Sequence, residues 1–373
     1  MKEIRMVDLK SQYQKIKQEI DSAIADVIDH TEFINGTQVK AFQQQLESFL
    51  KVKHVIPCAN GTDALQIALM ALGLKPGDEV ITSDFTFIAT LEVIALLGLK
   101  PVIVDVDPQT FNISVEGIRK AITPKTKAII PVHIFGQCAD MDAIMKLGKE
   151  NNIVVIEDCA QATGACYKFQ GTTAYAGTIG DMGTTSFFPS KNLGCFGDGG
   201  ALMTNNDELA QMCRSMANHG MKVRYYHDHV GINSRLDSIQ AAVLSVKLKY
   251  LHEYNKARQQ AASYYDQALS QCDKIRIPAR NPESTHIFHQ YTLVVNGIDR
   301  NELKNFLQTK GISAMIYYPV PLHSQKAYQY LGYKEGDFPV TEQLCKTVIS
   351  LPMHTELDNE QLHYITAAVL EFV

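Results

Sequence analysis

Ile153-Val154-Val155-Ile156-Glu157-Asp158 carries four apolar β-branched residues in a row and then ends on two carboxylates. A run this short and this apolar is a strand covered on both faces, as in a parallel sheet. The helical pattern Met141 to Asn151 precedes it, and Ile129-Ile130-Pro131-Val132 is the strand before that. Working back, Ser114 caps a helix to Ala121, Pro101 to Val106 is a strand, and Phe87 to Leu97 is a helix. Glu79-Val80-Ile81-Thr82 is a strand, Ala64 to Leu72 a helix, and His54-Val55-Ile56-Pro57-Cys58 a strand. Glu19 to Asp29 and Val39 to Val52 are helices that enter this pattern from the N-terminal side. Strands and helices alternating at this spacing predict an α/β fold with a mostly parallel sheet. Working forward, Gly183 to Phe188 and Ala201 to Thr204 add strands, and Asp237 to Leu269 reads as one long helical stretch. The expected division is a large domain over residues 1–245 and a smaller α+β domain over 246–373.

Composition excludes several function classes. The 373 residues carry a net charge of −5, with 46% hydrophobic and 20% charged residues. No basic excess points to nucleic acid, and no apolar run is long enough to cross a bilayer. The eight cysteines (Cys58, Cys138, Cys159, Cys166, Cys195, Cys213, Cys272 and Cys345) contain no Cys-x-x-Cys pair. That spacing points to neither a zinc ribbon nor a disulfide framework. With no signal-like apolar core at Met1-Lys2-Glu3-Ile4-Arg5, a reduced, cytoplasmic protein is expected.

Five features are candidates for chemistry. Asp158 ends its strand where open α/β sheets place their ligands, although a loop carboxylate would fit the same position. Glu157 faces the other way by strand alternation. Asn60-Gly61-Thr62-Asp63 forms a strand-to-helix turn. It suits a phosphate, or is an ordinary helix start capped by Thr62 or Asp63. Lys191 lies in Phe187-Phe188-Pro189-Ser190-Lys191-Asn192-Leu193-Gly194, with no charge nearer than Asp198. Such a setting desolvates an amine and lowers its pKa, as a Schiff-base lysine requires. A strand-end carboxylate, a phosphate turn and a desolvated lysine together suit pyridoxal 5'-phosphate. Lys222 to Arg235 holds Arg224, Tyr225, Tyr226, His227, His229, Asn233 and Arg235. This basic, aromatic loop suits a phosphorylated ligand or is a solvated surface, and His227-Asp228-His229 lacks the further ligands a metal site needs. Tyr317-Tyr318-Pro319-Val320-Pro321-Leu322-His323 either closes over a site or packs. The dinucleotide and P-loop signatures are missing.

In order, Asn60 to Leu65, Phe85 to Thr90, Ile156 to Gln161, Ser186 to Gly194 and Gly231 to Asp237 resemble the DegT/StrS family of pyridoxal-phosphate-dependent sugar aminotransferases. The resemblance implies the aspartate-aminotransferase-like (type I) fold. It also implies transfer of an amino group from glutamate, leaving 2-oxoglutarate, to a nucleotide-linked keto sugar. Lys191 and Asp158 match the imine-forming lysine and the acid paired with the pyridine nitrogen. Phe87 matches the residue stacked on the ring, and Gly61, Thr62, Asp63, Ser186 and Gln161 match cofactor contacts. Asn233 matches a residue contributed from a partner subunit, which implies a homodimer with a shared active site. Arg235, Tyr317, Tyr318, His323, Arg224 and His229 are expected on the sugar-nucleotide side. Lysine at 191 argues against the dehydrase branch, which has histidine there. Phe188 to Gly200 is most similar to the branch acting at C-3 of 3-keto sugars, uronates among them. Tyr317 departs from the histidine of the uronate enzymes, and His323 is more like the dTDP-linked 3-keto-6-deoxyhexose enzymes. A C-4 aminotransferase, a dehydrase and a non-catalytic sugar-nucleotide-binding regulator are the alternatives.

Overall fold

A computed structural model describes residues 3–373. Its first nine strands are β1 (His54–Cys58), β2 (Glu79–Ser83), β3 (Lys100–Val104), β4 (Thr126–Ile130), β5 (Val154–Asp158), β6 (Cys166–Phe169), β7 (Thr172–Tyr175), β8 (Met182–Ser186) and β9 (Gly200–Thr204). Seven of them form one sheet in the order β1-β9-β8-β5-β4-β2-β3. Only β9 runs against the rest, pairing antiparallel with both β1 and β8. The sheet is thus mostly parallel, as the apolar runs require. Its five inner strands bury Val80, Ile81, Ala128, Ile129, Ile130, Val155, Ile156 and Leu202 almost completely.

Both faces are covered. On one, the helices Gly61–Ala71, Ala89–Leu96 and Asp207–Met216 pack Leu65, Ile67, Val93, Ile94 and Cys213 against Ile56, Val80 and Met182. On the other, Met141–Asn151 packs Ile144 and Leu147 against Ile129 and Val155. Thr37–Leu50 and Ser238–Leu248 cover the β1 end through Phe42, Leu46 and Leu244, which pack with Phe187 after β8. β6 and β7 make a separate hairpin, and β10 (Met221–Val223) with β11 (Tyr226–His227) makes a second one, exposed from Lys222 onward.

The stretch Asp237 to Leu269, expected as one helix, is two: Ser238–Leu248 and Leu251–Leu269. The second runs from the large core, where Leu251 is buried, into another core. There Tyr265 and Leu269 meet Tyr291, Leu293 and Leu351. That core backs a three-stranded antiparallel sheet of β12 (Ile275–Arg276), β13 (Tyr291–Val295) and β14 (Val348–Leu351). Ile4 joins it from the N-terminal side, with its N–H on the Gly311 carbonyl at 2.8 Å.

Candidate active site

The carboxyl ends of β5 and β8 lie side by side, with Asp158 opposite Thr184. Ser186 pairs with Gly200, and Gly200 in turn pairs with Cys58. These pairings bring the turn after β1 onto the end of β8. Asn60, rather than the expected Thr62 or Asp63, caps the helix that begins at Gly61, accepting from the Asp63 N–H at 2.8 Å. Asparagine two residues beyond the strand reaches N3, so the cap falls two to three residues earlier than the sequence reading placed it. The Gly61 and Thr62 N–H groups are left without an intrahelical acceptor. A Cβ on Gly61 would stand 2.6 Å from the Ser186 Cβ, so only glycine lets the two backbones approach this closely.

A cavity of about 430 Å³ opens over these strand ends. It gathers Gly61, Thr62, Phe87, Asp158, Gln161, Ser186, Lys191, Tyr317 and Tyr318 from five separate parts of the chain. Asp158 is 5% exposed. Its Oδ2 accepts from the Thr90 hydroxyl at 2.8 Å and its Oδ1 from the Ala160 N–H at 3.1 Å. Each oxygen keeps a lone pair for a further donor. Lys191 is half-buried on the same wall. Desolvation lowers its pKa from 10.5 to about 8, and the nearby Asp158 charge only partly opposes that shift. The lysine turn is fixed from below. The Lys191 N–H donates to the Phe188 carbonyl at 2.8 Å, and Asn192 Nδ2 donates to Asn255 Oδ1 at 2.7 Å and to the Ile287 carbonyl at 3.2 Å.

Gln161 reaches the cavity with its amide engaged on both sides. It accepts from the Phe135 N–H at 2.7 Å and donates to the Tyr318 hydroxyl at 3.0 Å. The Phe87 ring is 57% exposed and lies 6.5 Å from the Tyr318 ring, so it stands at the open side. Glu157 turns away, as strand alternation requires. Buried, it accepts from the Gly177, Ile179 and Gly180 N–H groups and lies 2.8 Å from His133 Nε2. His133, Glu157 and Cys159 have metal-like proximity. However, the second nitrogen of His133 already accepts from the Ala139 N–H, and burial with the Glu157 charge holds the Cys159 thiol protonated. The group is a hydrogen-bonded core under Asp158.

The other predicted residues lie outside this cavity. Asp63 is in the first helical turn. Asn233 is exposed and bridges Asn218, and Arg235 is half-buried two residues on. Arg224 and His229 belong to the exposed region around the β10–β11 hairpin. His323 departs most from expectation. It is 3% exposed, with Nδ1 at 2.7 Å from Asp84 Oδ2. A buried carboxylate holds it away from the substrate side where the sequence reading placed it. Thr90, His289 and Gln290 were missed as wall and support residues. Thr90 falls within the recognised Phe85 to Thr90 block, whereas nothing local in the sequence marks His289 or Gln290.

The sequence pattern of the DegT/DnrJ/EryC1/StrS aminotransferase family matches residues 14–370. The chain belongs to that family. It is a pyridoxal-phosphate-dependent aminotransferase with the type I fold. It is 47% identical to a pleiotropic regulatory protein of Geobacillus stearothermophilus, over 99% of this chain and 98% of that one. It is 45% identical to the UDP-2-acetamido-2-deoxy-3-oxo-D-glucuronate aminotransferase of Pseudomonas aeruginosa, over 98% of this chain and 99% of that one. Among solved structures, S. venezuelae DesV in complex with a ketimine intermediate superposes with a TM-score of 0.96 at 36% identity, covering 100% of this chain and 99% of that chain. The cavity fits this family's cofactor on its own terms. It offers free helix-start N–H groups for a phosphate, a buried carboxylate with spare lone pairs for a ring nitrogen, and an amine of lowered pKa. Among the described residues, no helix is long and apolar enough to cross a membrane.

Proposed function

We propose that this aminotransferase moves the amino group of glutamate onto the C-3 carbonyl of a UDP- or dTDP-linked 3-keto hexose or hexuronate. The product is an amino sugar for surface-glycan synthesis, O-antigen among them, and the work is done in the cytoplasm. The observation that carries the reading is the meeting of Lys191 and Asp158 in one cavity whose lining includes the Gly61-Thr62 helix start. The 45% identity to a 3-oxo-glucuronate aminotransferase supports the substrate class.

When bound, pyridoxal phosphate supplies the carbonyl that takes the amine and a ring that accepts the electron pair. The chain supplies the rest. The Gly61 and Thr62 N–H groups and the Ser186 hydroxyl bind the phosphate at the positive end of the helix beginning at Gly61. Asp63, in that first turn, supports the loop. Asp158 holds a proton at the ring nitrogen through a charge-assisted hydrogen bond. Phe87, at the open side of the cavity, would hold the ring by stacking, and Gln161 would bind its oxygen-bearing edge. Lys191, whose pKa lowered to about 8 makes the neutral amine far more abundant at neutral pH than in an ordinary lysine, carries the proton to and from the substrate carbon.

The exposed Asn233 and half-buried Arg235, with Arg224 and His229 near the β10–β11 hairpin, serve the cavity of a second copy. Asn233 goes to the phosphate and the others to the sugar nucleotide, with Tyr317 and Tyr318 facing them across the site. The functional unit is a homodimer, each protomer divided near residue 245. The name of the Geobacillus relative favours a second reading, a regulator; it predicts a colourless protein, or one whose Lys191→Ala variant keeps its function.

A panel of UDP- and dTDP-linked 3-keto and 4-keto sugars, with glutamate as donor, tests the proposal. Amination confined to 3-keto sugars is expected. Amination of 4-keto sugars alone would move the assignment to C-4, and no amination with any sugar would favour the dehydrase or regulator.

A further inference from the structure

Asp84 and His323 are 239 positions apart and meet almost completely buried, at 1% and 3% exposure. The Asp84 carboxylate accepts the His323 backbone N–H on Oδ1 at 2.8 Å, and its Oδ2 lies 2.7 Å from His323 Nδ1. A carboxylate only accepts, so Nδ1 carries the proton. The Asp84 carbonyl also accepts the Leu322 N–H at 3.4 Å, and the Asp84 N–H donates to the Val104 carbonyl of β3 at 3.0 Å. On its far side the ring meets Ser324 Oγ at 3.1 Å and packs on Phe338 at 4.9 Å between centroids. Neither side chain lines the cavity, and no step of the reaction uses either.

What they join is the wall. Asp84 is three residues before Phe87, on a loop anchored to β3. His323 is five residues after Tyr318, along a segment that Pro319 and Pro321 stiffen by fixing φ. Tyr318 meets the same loop again through the Phe85 ring, 5.9 Å between centroids. A shift at His323 is therefore passed to Tyr317 and Tyr318, and a shift at Asp84 to Phe87. Both edges flank the exposed side of the cavity. A nucleotide sugar is several times larger than glutamate, and the cavity holds about 430 Å³, so the sugar substrate makes the greater demand on the exposed side where Phe87 stands.

We propose that the Asp84–His323 pair is a positioning device. It sets the separation of Phe87 from Tyr317-Tyr318 and so fixes how the keto sugar is held, with little effect on the donor. The inference rests on the aminotransferase reading above and deepens it.

Asparagine places an N–H near the position of Nδ1, and glutamine places one near Nε2. His323→Asn should therefore keep the Asp84 contact, while His323→Gln and His323→Ala lose it. In the cofactor-loaded enzyme, the Gln and Ala variants should raise KM for the 3-keto nucleotide sugar about tenfold or more. The Asn variant should stay near wild type. All three should keep the wild-type cofactor absorption and the wild-type rate of the glutamate half-reaction. The proposal is overturned if Asn and Gln variants share one KM, or if the glutamate half-reaction falls in step with the sugar reaction. Should the Ala variant fail to fold, the Asn–Gln contrast decides alone. A wild-type enzyme that makes no 2-oxoglutarate would instead sink the underlying function, a separate result.

Discussion

Replacing Asp158 by asparagine should pull binding and catalysis in opposite directions. The Asp158 carboxylate is buried, and its two oxygens are oriented by Thr90 and Ala160. Asparagine keeps the shape and one acceptor oxygen, puts an NH2 donor in place of the other oxygen, and removes the charge. Two effects follow from the one change. Hydrogen bonds to charged groups are worth about 1.5–3 kcal/mol, so weakening the hold on the ring nitrogen lowers turnover about 10- to 150-fold. At the same time, the Asp158 charge is what holds the Lys191 pKa up against desolvation. Without it that pKa falls further below about 8, the neutral amine becomes more abundant at pH 7, and the apoprotein captures added pyridoxal phosphate faster. Stopped-flow absorbance resolves both quantities: capture by apoprotein across pH 6 to 9, and single-turnover reaction of the loaded protein with glutamate. Turnover close to wild type, or a capture midpoint that moves to higher pH, would refute the assignment of Asp158 and its coupling to Lys191.

Other outcomes follow from the same site. Lys191 has its pKa depressed on folding from 10.5 to about 8, so the folded apoprotein carries the cost of a desolvated ammonium below about pH 8. That cost fades as pH rises to 10.5, because the unfolded chain alone still binds the proton there. Lys191→Met should therefore stabilise the cofactor-free protein by about 2–3 kcal/mol at pH 7, with the advantage shrinking through that window. Thermal melts at several pH values check this, and a gap independent of pH contradicts it. Gly61→Ala sets a methyl 2.6 Å from Ser186 Cβ and must push the phosphate turn off the end of β8. Equilibrium dialysis should show cofactor affinity weakened about tenfold or more, and unchanged affinity would remove Gly61 from the phosphate site.

The fold was legible because its signal is local. β1 and the helix Met141–Asn151 lie where their apolar patterns end, and the buried strands read as unbroken apolar runs. Other boundaries were not legible. Nothing such as proline or glycine marks the break at Lys249-Tyr250, so two helices read as one. The helix Asp207–Met216 was overlooked although Asn206 caps it through two N–H groups. The β6–β7 hairpin turns at Gln170-Gly171, both at positive φ, a two-residue signal between strands too polar to stand out. Within the site, the lysine turn and strand-end carboxylate were readable from neighbours in sequence. The burial of His323 was not, because its partner Asp84 is decided by tertiary packing. For the exposed Asn233 and the half-buried Arg235, neither of which lines the cavity, a single chain shows no ligand contact.

The most direct test of the account follows nitrogen. Enzyme loaded with pyridoxal phosphate is given 15N-glutamate and a UDP-linked 3-keto sugar, and the sugar is analysed by NMR; Lys191→Ala serves as the comparison. The account predicts 15N at C-3 of the sugar, one 2-oxoglutarate per amino sugar, and no transfer by the Lys191→Ala protein. Label at another carbon, or transfer that persists without Lys191, would contradict it.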